Sequence, residues 1–285
     1  MAFRVVAFAL ASVAIGSGCS LALDLEQAQC EVTADCEALG ASGLECVDSV
    51  CVASSVSPTF ACQSTPWPPL SEAGIQASVV ARSLTVEQPV AGLQVSACDT
   101  LIDPTCSSPR AQAVTNSDGV ATLDVVEGFR GHFFVPANEG LNAPYLLHLF
   151  PPPDPNVVPS LQGALIITNL QTMRDIGAVG GVDVLPNRGH LFFTAMGCDF
   201  QPLPGVVVSV PDAAEEALVA YLGANGLPDQ SLTSSSATGI GVAINLEPGF
   251  TTVRARHLEA GEIFEQVIYV APDSITTARI VPSVF

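Results

Sequence analysis

Gln88-Pro-Val-Ala-Gly92-Leu-Gln-Val-Ser-Ala-Cys-Asp99 returns later in the chain as Gln201-Pro-Leu-Pro-Gly205-Val-Val-Val-Ser-Val-Pro-Asp212, with six of the twelve positions identical. A second match follows in the same order. Gly119-Val-Ala-Thr-Leu-Asp-Val-Val-Glu-Gly-Phe129 lines up with Gly241-Val-Ala-Ile-Asn-Leu-Glu-Pro-Gly-Phe250 across one gap. Twenty positions separate Asp99 from Gly119 and 29 separate Asp212 from Gly241, so the second copy carries nine more residues between its motifs. Pro fixes its own φ and Gly reaches positive φ, so this pair ahead of an alternating apolar run marks a turn that launches a strand. Asn116-Ser-Asp118-Gly119 is a hairpin turn feeding the strand that opens at Val120. In the second copy Val253 and Ala255 alternate with Thr252, Arg254 and Arg256, which gives one buried face and one wet face. Further strands are expected at Ala77–Arg82, Gly131–Val135, Tyr145–Phe150, Leu191–Ala195, Ile263–Val270 and Thr276–Val281. Strands at this spacing, with Gly and Pro between them, predict an all-β chain built as tandem β-sandwiches.

The repeat resembles a known family. Its x-Pro-(Leu/Val)-x-Gly-(Val/Ala)-x-Val pattern, Thr-x-x-x-Gly turn, alternating strand and Gly-aromatic step are similar to those of the carboxypeptidase regulatory-like domain. That domain is a seven-stranded sandwich of transthyretin (prealbumin) type. Thr115, Gly119 and Gly128-Phe129 carry the likeness in the first copy, and Gly205, Gly241 and Gly249-Phe250 in the second. Tyr221-Leu-Gly-Ala-Asn-Gly-Leu-Pro228-Asp229 resembles a Tyr…Gly-x-Pro stretch of large bacterial lipoproteins with such domains. The resemblance covers residues 75–150 and 190–282 and implies a domain that accompanies enzymes and receptors but performs no chemistry. Asp273-Ser274 departs from it, standing where the family has a Gly turn.

At the start of the chain, Arg4 precedes an apolar run, Val5 to Ile15, and then Gly16-Ser17-Gly18-Cys19. A charged n-region, a short h-region and small residues before a cut read as a secretory signal. The cysteine after the small residues makes it resemble a bacterial lipoprotein signal, in which Cys19 would be acylated and become the mature N-terminus. The usual Leu three residues before that cysteine is missing, and the other reading is an ordinary cleaved signal with Cys19 a disulfide partner. The chain holds nine cysteines, and an odd number in an exported protein leaves one unpaired; lipidating Cys19 leaves eight. Ser20 after the cysteine implies, by the same resemblance, the outer rather than the inner membrane.

Cys30, Cys36, Cys46 and Cys51 crowd a segment too short to enclose a hydrophobic core, so cross-links are expected there. The spacing resembles the Cys-x5-Cys-x9-Cys-x4-Cys modules behind the anchor of many bacterial surface lipoproteins. Four cysteines allow three pairings, and Cys30 with Cys46 and Cys36 with Cys51 is preferred. A zinc site is the rival, but it lacks close Cys-x2-Cys knuckles. Cys98 and Cys106 are expected to staple one loop of the first sandwich. Cys62 and Cys198 remain and are paired by elimination. The expected organisation is a signal at 1–18, a tether at 19–29, a Cys-rich module at 30–51, a linker at 52–74 and a first sandwich at 75–150. A Pro-rich linker with a short helix at 151–189 and a second sandwich at 190–285 complete it. The linker opens on Pro151-Pro-Pro-Asp-Pro, a stiff break, and Leu170–Ile176 is its expected helix, packed between the sandwiches.

All nine basic residues are arginines, so the chain has no lysine, which excludes Schiff-base chemistry and a Walker-type phosphate loop. A formal charge of −19 argues against nucleic acid as a partner. No cofactor is implied. His132, His148, His190 and His257 are scattered, and no Gly-x-Ser-x-Gly elbow appears. Asp99, Asp103 and Asp118 are candidate calcium ligands, although short acidic residues favour turns in any case. Arg254 and Arg256 share a strand face and are candidates for gripping an anion. Trp67, between two prolines, is a candidate for stacking on a sugar or peptide. The expectation is a non-enzymatic, lipid-anchored envelope protein serving as a binding or spacer module. Its partners would be the membrane, through the acyl chains, and an envelope protein or glycan. The rivals are a carbohydrate- or peptide-binding accessory protein and an envelope hydrolase with unrecognised catalytic loops.

Overall fold

The computed structural model describes residues 30–31, 35–36, 44–47, 49–53, 58–60, 62, 69–84, 88–99, 103, 105–138, 140–141, 143–149, 161–223, 226–261 and 263–282. The signal, Cys19, the tether, Trp67 and the Pro-rich run after Phe150 lie outside the described residues. The chain divides into two compact units, Met1–Ser57 and Pro58–Phe285.

In the first unit, β1 (Leu44–Val47) and β2 (Val50–Ala53) form an antiparallel hairpin with Cys46 opposite Cys51. A two-stranded hairpin is marginal in water by itself. Disulfides Cys30–Cys46 and Cys36–Cys51 hold it, and the sulfurs of Cys30, Cys36 and Cys51 lie within 4.8 Å of one another. Sulfur packed on sulfur thus replaces an apolar core, and thiols committed to these bonds are not zinc ligands.

Among its described residues the second unit is all-β apart from one helix and a short 3-10 turn at Pro58–Phe60. Its first copy comprises β3 (Gly74–Ser83), β4 (Gln94–Cys98), β5 (Ala111–Val114), β6 (Val120–Val126), β7 (His132–Val135), β8 (Tyr145–His148) and β9 (Leu161–Ile167). Helix α1 (Leu170–Val179) leads to the second copy, which comprises β10 (Gly189–Ala195), β11 (Val206–Ser209), β12 (Leu218–Tyr221) and β13 (Ile240–Leu246), then β14 (Gly249–His257), β15 (Ile263–Val270) and β16 (Ile275–Ile280). The two copies share the wiring of their first, fourth and seventh strands and differ in the third, since β5 pairs with β4 whereas β12 pairs with β13. In the first, β3 pairs antiparallel with β6 and parallel with β9; in the second, β10 pairs antiparallel with β13 and parallel with β16. The facing sheets are β4-β7-β8 and β11-β14-β15.

The copies are not separate domains on a linker. Strand β8 pairs parallel with β16, Tyr145 opposite Ile275 through His148 opposite Ala278. This fuses a sheet of each copy into one eight-stranded sheet, ordered β12-β13-β10-β16-β8-β7-β4-β5. One face of that sheet presents Phe133, Tyr145, Leu147, Ile275, Phe192 and Val242 to a core closed by β6-β3-β9 and α1. The other face presents Phe193, Ala195, Ala278 and Ile280 to a core closed by β11-β14-β15. The interval 151–189, expected as a linker with a helix, therefore also supplies β9, because Leu165 and Ile167 alternate inward. The helix is N-capped by Asn169, whose side chain accepts from the Thr172 amide, and it buries Met173 and Ile176 in the first core.

A repeated hydroxyl clamp sets the turn geometry of each copy. The Thr115 hydroxyl donates to the Val90 carbonyl and accepts from the Leu93 amide at 2.8 and 2.9 Å. The Ser235 hydroxyl does the same with Leu203 and Val206 at 2.7 and 2.9 Å. Four residues on, Gly119 at φ 73° and Gly239 at φ 68° accept from the amides of Ala81 and Ala195, each at 2.8 Å. Gly239, not Gly241, is thus the counterpart of Gly119. Gly241 lies inside β13, where a Cβ would sit 2.2 Å from the Phe193 ring. Gly241-Val-Ala repeats the letters of Gly119-Val-Ala but lies two residues further along, and β13 takes up one extra residue later, near Asn245 at φ 61°.

A Cβ at Gly119 or Gly239 would meet a backbone oxygen, Ala81 or Ala195, at 2.5 or 2.4 Å. Gly119→Ala and Gly239→Ala are therefore each expected to lower stability by more than about 1 kcal/mol, by similar amounts. Urea denaturation of the two variants checks this, and unequal losses would contradict the equivalence of the turns. Peptide mapping without reductant should also recover Cys98–Cys106 and Cys62–Cys198, the two bonds of this unit.

Candidate functional site

The proposed ligand groups go separate ways. Asp99 accepts from the Arg110 guanidinium at 2.6 Å. Asp103 accepts from the amide and hydroxyl of both Thr105 and Ser107, and the Ser107 and Thr105 side chains hold its carboxyl well below the usual carboxylate range. Asp118 occupies the hairpin turn, its amide bonded to the Asn116 side chain. These three carboxylates do not converge; among the described residues the one potential metal cluster is Cys30, Cys36 and Cys51, all disulfide-bonded. Arg254 lies opposite Glu265 on β15 and bonds it at 2.6 Å, so its charge is spent across the strand pair. Arg256 is exposed on the same face.

Three histidines belong to the interior. His132 and His148 are cross-strand partners on β7 and β8, with ring centroids 6.1 Å apart and both residues buried. His148 Nε2 lies 3.1 Å from the Tyr269 carbonyl. Burial, reinforced by His132 and opposed by that carbonyl, pushes His148 down to about 3 from its ordinary 6.5. Burial also pushes His190 down to about 4, with Asp273 opposing. His257 is half-buried, its Nδ1 accepting from the Ala260 amide and its ring edge-on to Phe60. Phe60 itself enters the second core from the 3-10 turn, which the Cys62–Cys198 disulfide and a bond from the Cys198 amide to the Thr59 carbonyl hold in place.

The feature suited to a ligand is a groove of about 420 Å³, within the range of small-molecule sites. Its walls come from β9 (Ala164, Leu165, Ile166), the end of β10 (Thr194) and β13 (Ile240), with Arg82 of β3 at its margin. No carboxylate lines it among the described residues. Sequence reading did not find it. Its residues are far apart along the chain, coming from β3, β9, β10 and β13 and the segments between strands.

No family model matches the chain, and none of the curated proteins matches it. Among solved structures, the shaft pilin SpaA from Lactobacillus rhamnosus GG aligns over 75% of this chain and 99% of its own, at 11% identity and a TM-score of 0.23. The Streptococcal ancillary pilin aligns over 73% and 69%, at 12% identity and a TM-score of 0.22. BcpA, the major pilin subunit of Bacillus cereus, aligns over 72% and 70%, at 10% identity and a TM-score of 0.24. Superpositions this loose carry no argument about this chain.

Histidines whose folded pKa lies below the unfolded value contribute stability that is complete above about pH 6.5 and is lost as pH falls toward the folded value. Unfolding free energy should therefore fall from pH 6.5 downward by up to about 1.4 kcal/mol per pH unit for each histidine. His148→Gln and His190→Gln should each flatten part of that slope. Equal slopes in wild type and both variants between pH 6.5 and 5 would contradict the buried-neutral assignment.

Proposed function

We propose that this protein is a non-enzymatic, lipid-anchored component of the cell envelope, held at the outer membrane or cell surface through acylated Cys19. Its two carboxypeptidase regulatory-like sandwiches act as one stiff spacer that presents a binding surface. The observation that carries this reading is the β8–β16 pairing. Tandem domains normally move relative to each other unless their interface is large. A hydrogen-bonded strand pair within a continuous sheet removes that hinge. The buried Asn245 side chain accepts from the Leu185 amide and donates to the carbonyls of Asp183 and Glu216, which fastens the segment between α1 and β10 to the second copy.

The oxidised cysteines support an exported location. The charge of −19 suits a body that stands off an anionic membrane. No helix among the described residues is long and apolar enough to cross a membrane, which leaves the acyl chains as the proposed attachment. The interior placement of His132, His148 and His190 favours the spacer over an envelope hydrolase. The groove beside β9 favours a peptide over a glycan among the binding readings.

Cys19→Ser should move the protein from the membrane fraction to the soluble fraction, and a variant that still sediments with membranes ends the anchor reading. Nitrogen-15 relaxation should give residues 75–149 and 190–282 one rotational correlation time; two distinct times would end the spacer reading.

A further inference from the structure

The two copies also differ at the outer edge of their seventh strands. In the second copy, β16 has β10 on one side and β8 on the other, so both its edges are paired. Its counterpart in the first copy, β9, pairs with β3 alone, and no described strand continues the sheet beyond it. The Ile167 carbonyl accepts from the Leu84 amide at 2.9 Å, so the backbone groups of Ile167 point toward β3. Alternation along a strand then places the N–H and C=O groups of Ala164 and Ile166 on the free edge, where both residues line the groove. An edge with no strand partner among the described residues, beside an apolar trough, is a template for strand addition.

We infer that the groove takes an extended peptide that adds to β9 as a parallel strand, with a carboxylate at its C-terminal end held by Arg82. The chain supplies the precedent for the orientation, since β8 adds to the equivalent strand in parallel over four residues. Arg82 lies opposite Ile166 in the β3–β9 register, so a parallel guest brings its C-terminal end to the guanidinium. Arg82 is exposed and has no carboxylate partner among the described residues. In a chain with 28 acidic and nine basic residues, an exposed arginine over an acid-free apolar trough selects an anionic guest. Alternate side chains of the guest would enter the trough between Leu165 and Ile240. This inference deepens the binding part of the proposed function and is independent of the spacer and anchor parts, whose tests read tumbling and sedimentation.

The test uses fluorescein-labelled peptides of about five alternating Thr and Val residues, titrated into the full-length protein. One probe ends in a free carboxylate, one in an amide, and a third is amidated but ends in Asp. The free acid should bind saturably, about tenfold or more tighter than the plain amide, because a charge-assisted bond is lost on capping. Amide exchange should slow at Ala164 and Ile166 in the complex. Arg82→Glu should abolish the difference between acid and amide. Ala164→Pro should abolish binding of every probe while sparing the β3 pairing, since the lost N–H lies on the outer edge. If that variant does not fold, Arg82→Glu and the exchange map of the wild type decide the question. Binding of the Asp-ending probe assigns the carboxylate to a side chain, and its failure beside a tightly bound free acid assigns it to a chain terminus. No saturable binding, equal affinity for acid and plain amide, or protection away from β9 would overturn the inference.

Discussion

The parallel pairing of β8 with β16 is the constraint on which the rest of the second unit depends. Backbone groups left unpaired in a buried position cost about 1–3 kcal/mol each, and four residue pairs are involved, against a typical domain stability of about 5–15 kcal/mol. The pairing also decides which side chains are inside. Tyr145 and Leu147 meet Ile275 and Phe192 on one face, while Ala278 and Ile280 join Phe193 on the other. Each copy thus lends a sheet to a common layer, and the two cores sit on opposite faces of it. Separating the copies would expose both faces at once. That is why β8 is buried throughout, including its polar member His148.

The hydroxyl clamp shows how a repeat survives in chemistry after its letters have drifted. Thr115 and Ser235 differ by a methyl group and make the same pair of bonds to the same two backbone positions. Their glycines close the following turn onto the preceding strand, Gly119 onto Ala81 and Gly239 onto Ala195. The clamp needs an oxygen that both donates and accepts, a role either hydroxyl fills and no apolar residue can. The turn after it needs positive φ against a backbone oxygen at contact distance, which only glycine meets without strain.

Much of the fold was legible because turn chemistry and alternation are local. The tandem copies, the strand at Ile263–Val270 and the helix at Leu170 follow from residues near one another in the chain. The fusion of the copies was not read, although Tyr145-Leu-Leu-His-Leu149 carries its signal. A run buried on both faces and paired at both edges reads as continuously apolar, whereas a strand with one wet face alternates. Strand β9 was hidden by the prolines before it, which made the interval look like a linker. The candidate ligands illustrate the limit for sites. Asp99, Asp103 and Asp118 are close in sequence yet are committed to Arg110, to a local turn and to a hairpin, so proximity along the chain did not become convergence in space. The groove is the converse case, assembled from strands of both copies that no spacing rule connects.

The remaining polar interior follows from the shared sheet as well. A strand that serves two sheets has no solvent side on which to place a polar residue. His148 therefore meets the carbonyl of Tyr269 across the second core, and Thr276 turns its hydroxyl to the same carbonyl at 3.3 Å. Both bonds fasten β15 to the central layer at a point where no described strand lies beyond β15. The edge of β15 is thus partly closed by side chains and that of β16 by a strand, while β9 has no further strand partner among the described residues where it borders the groove.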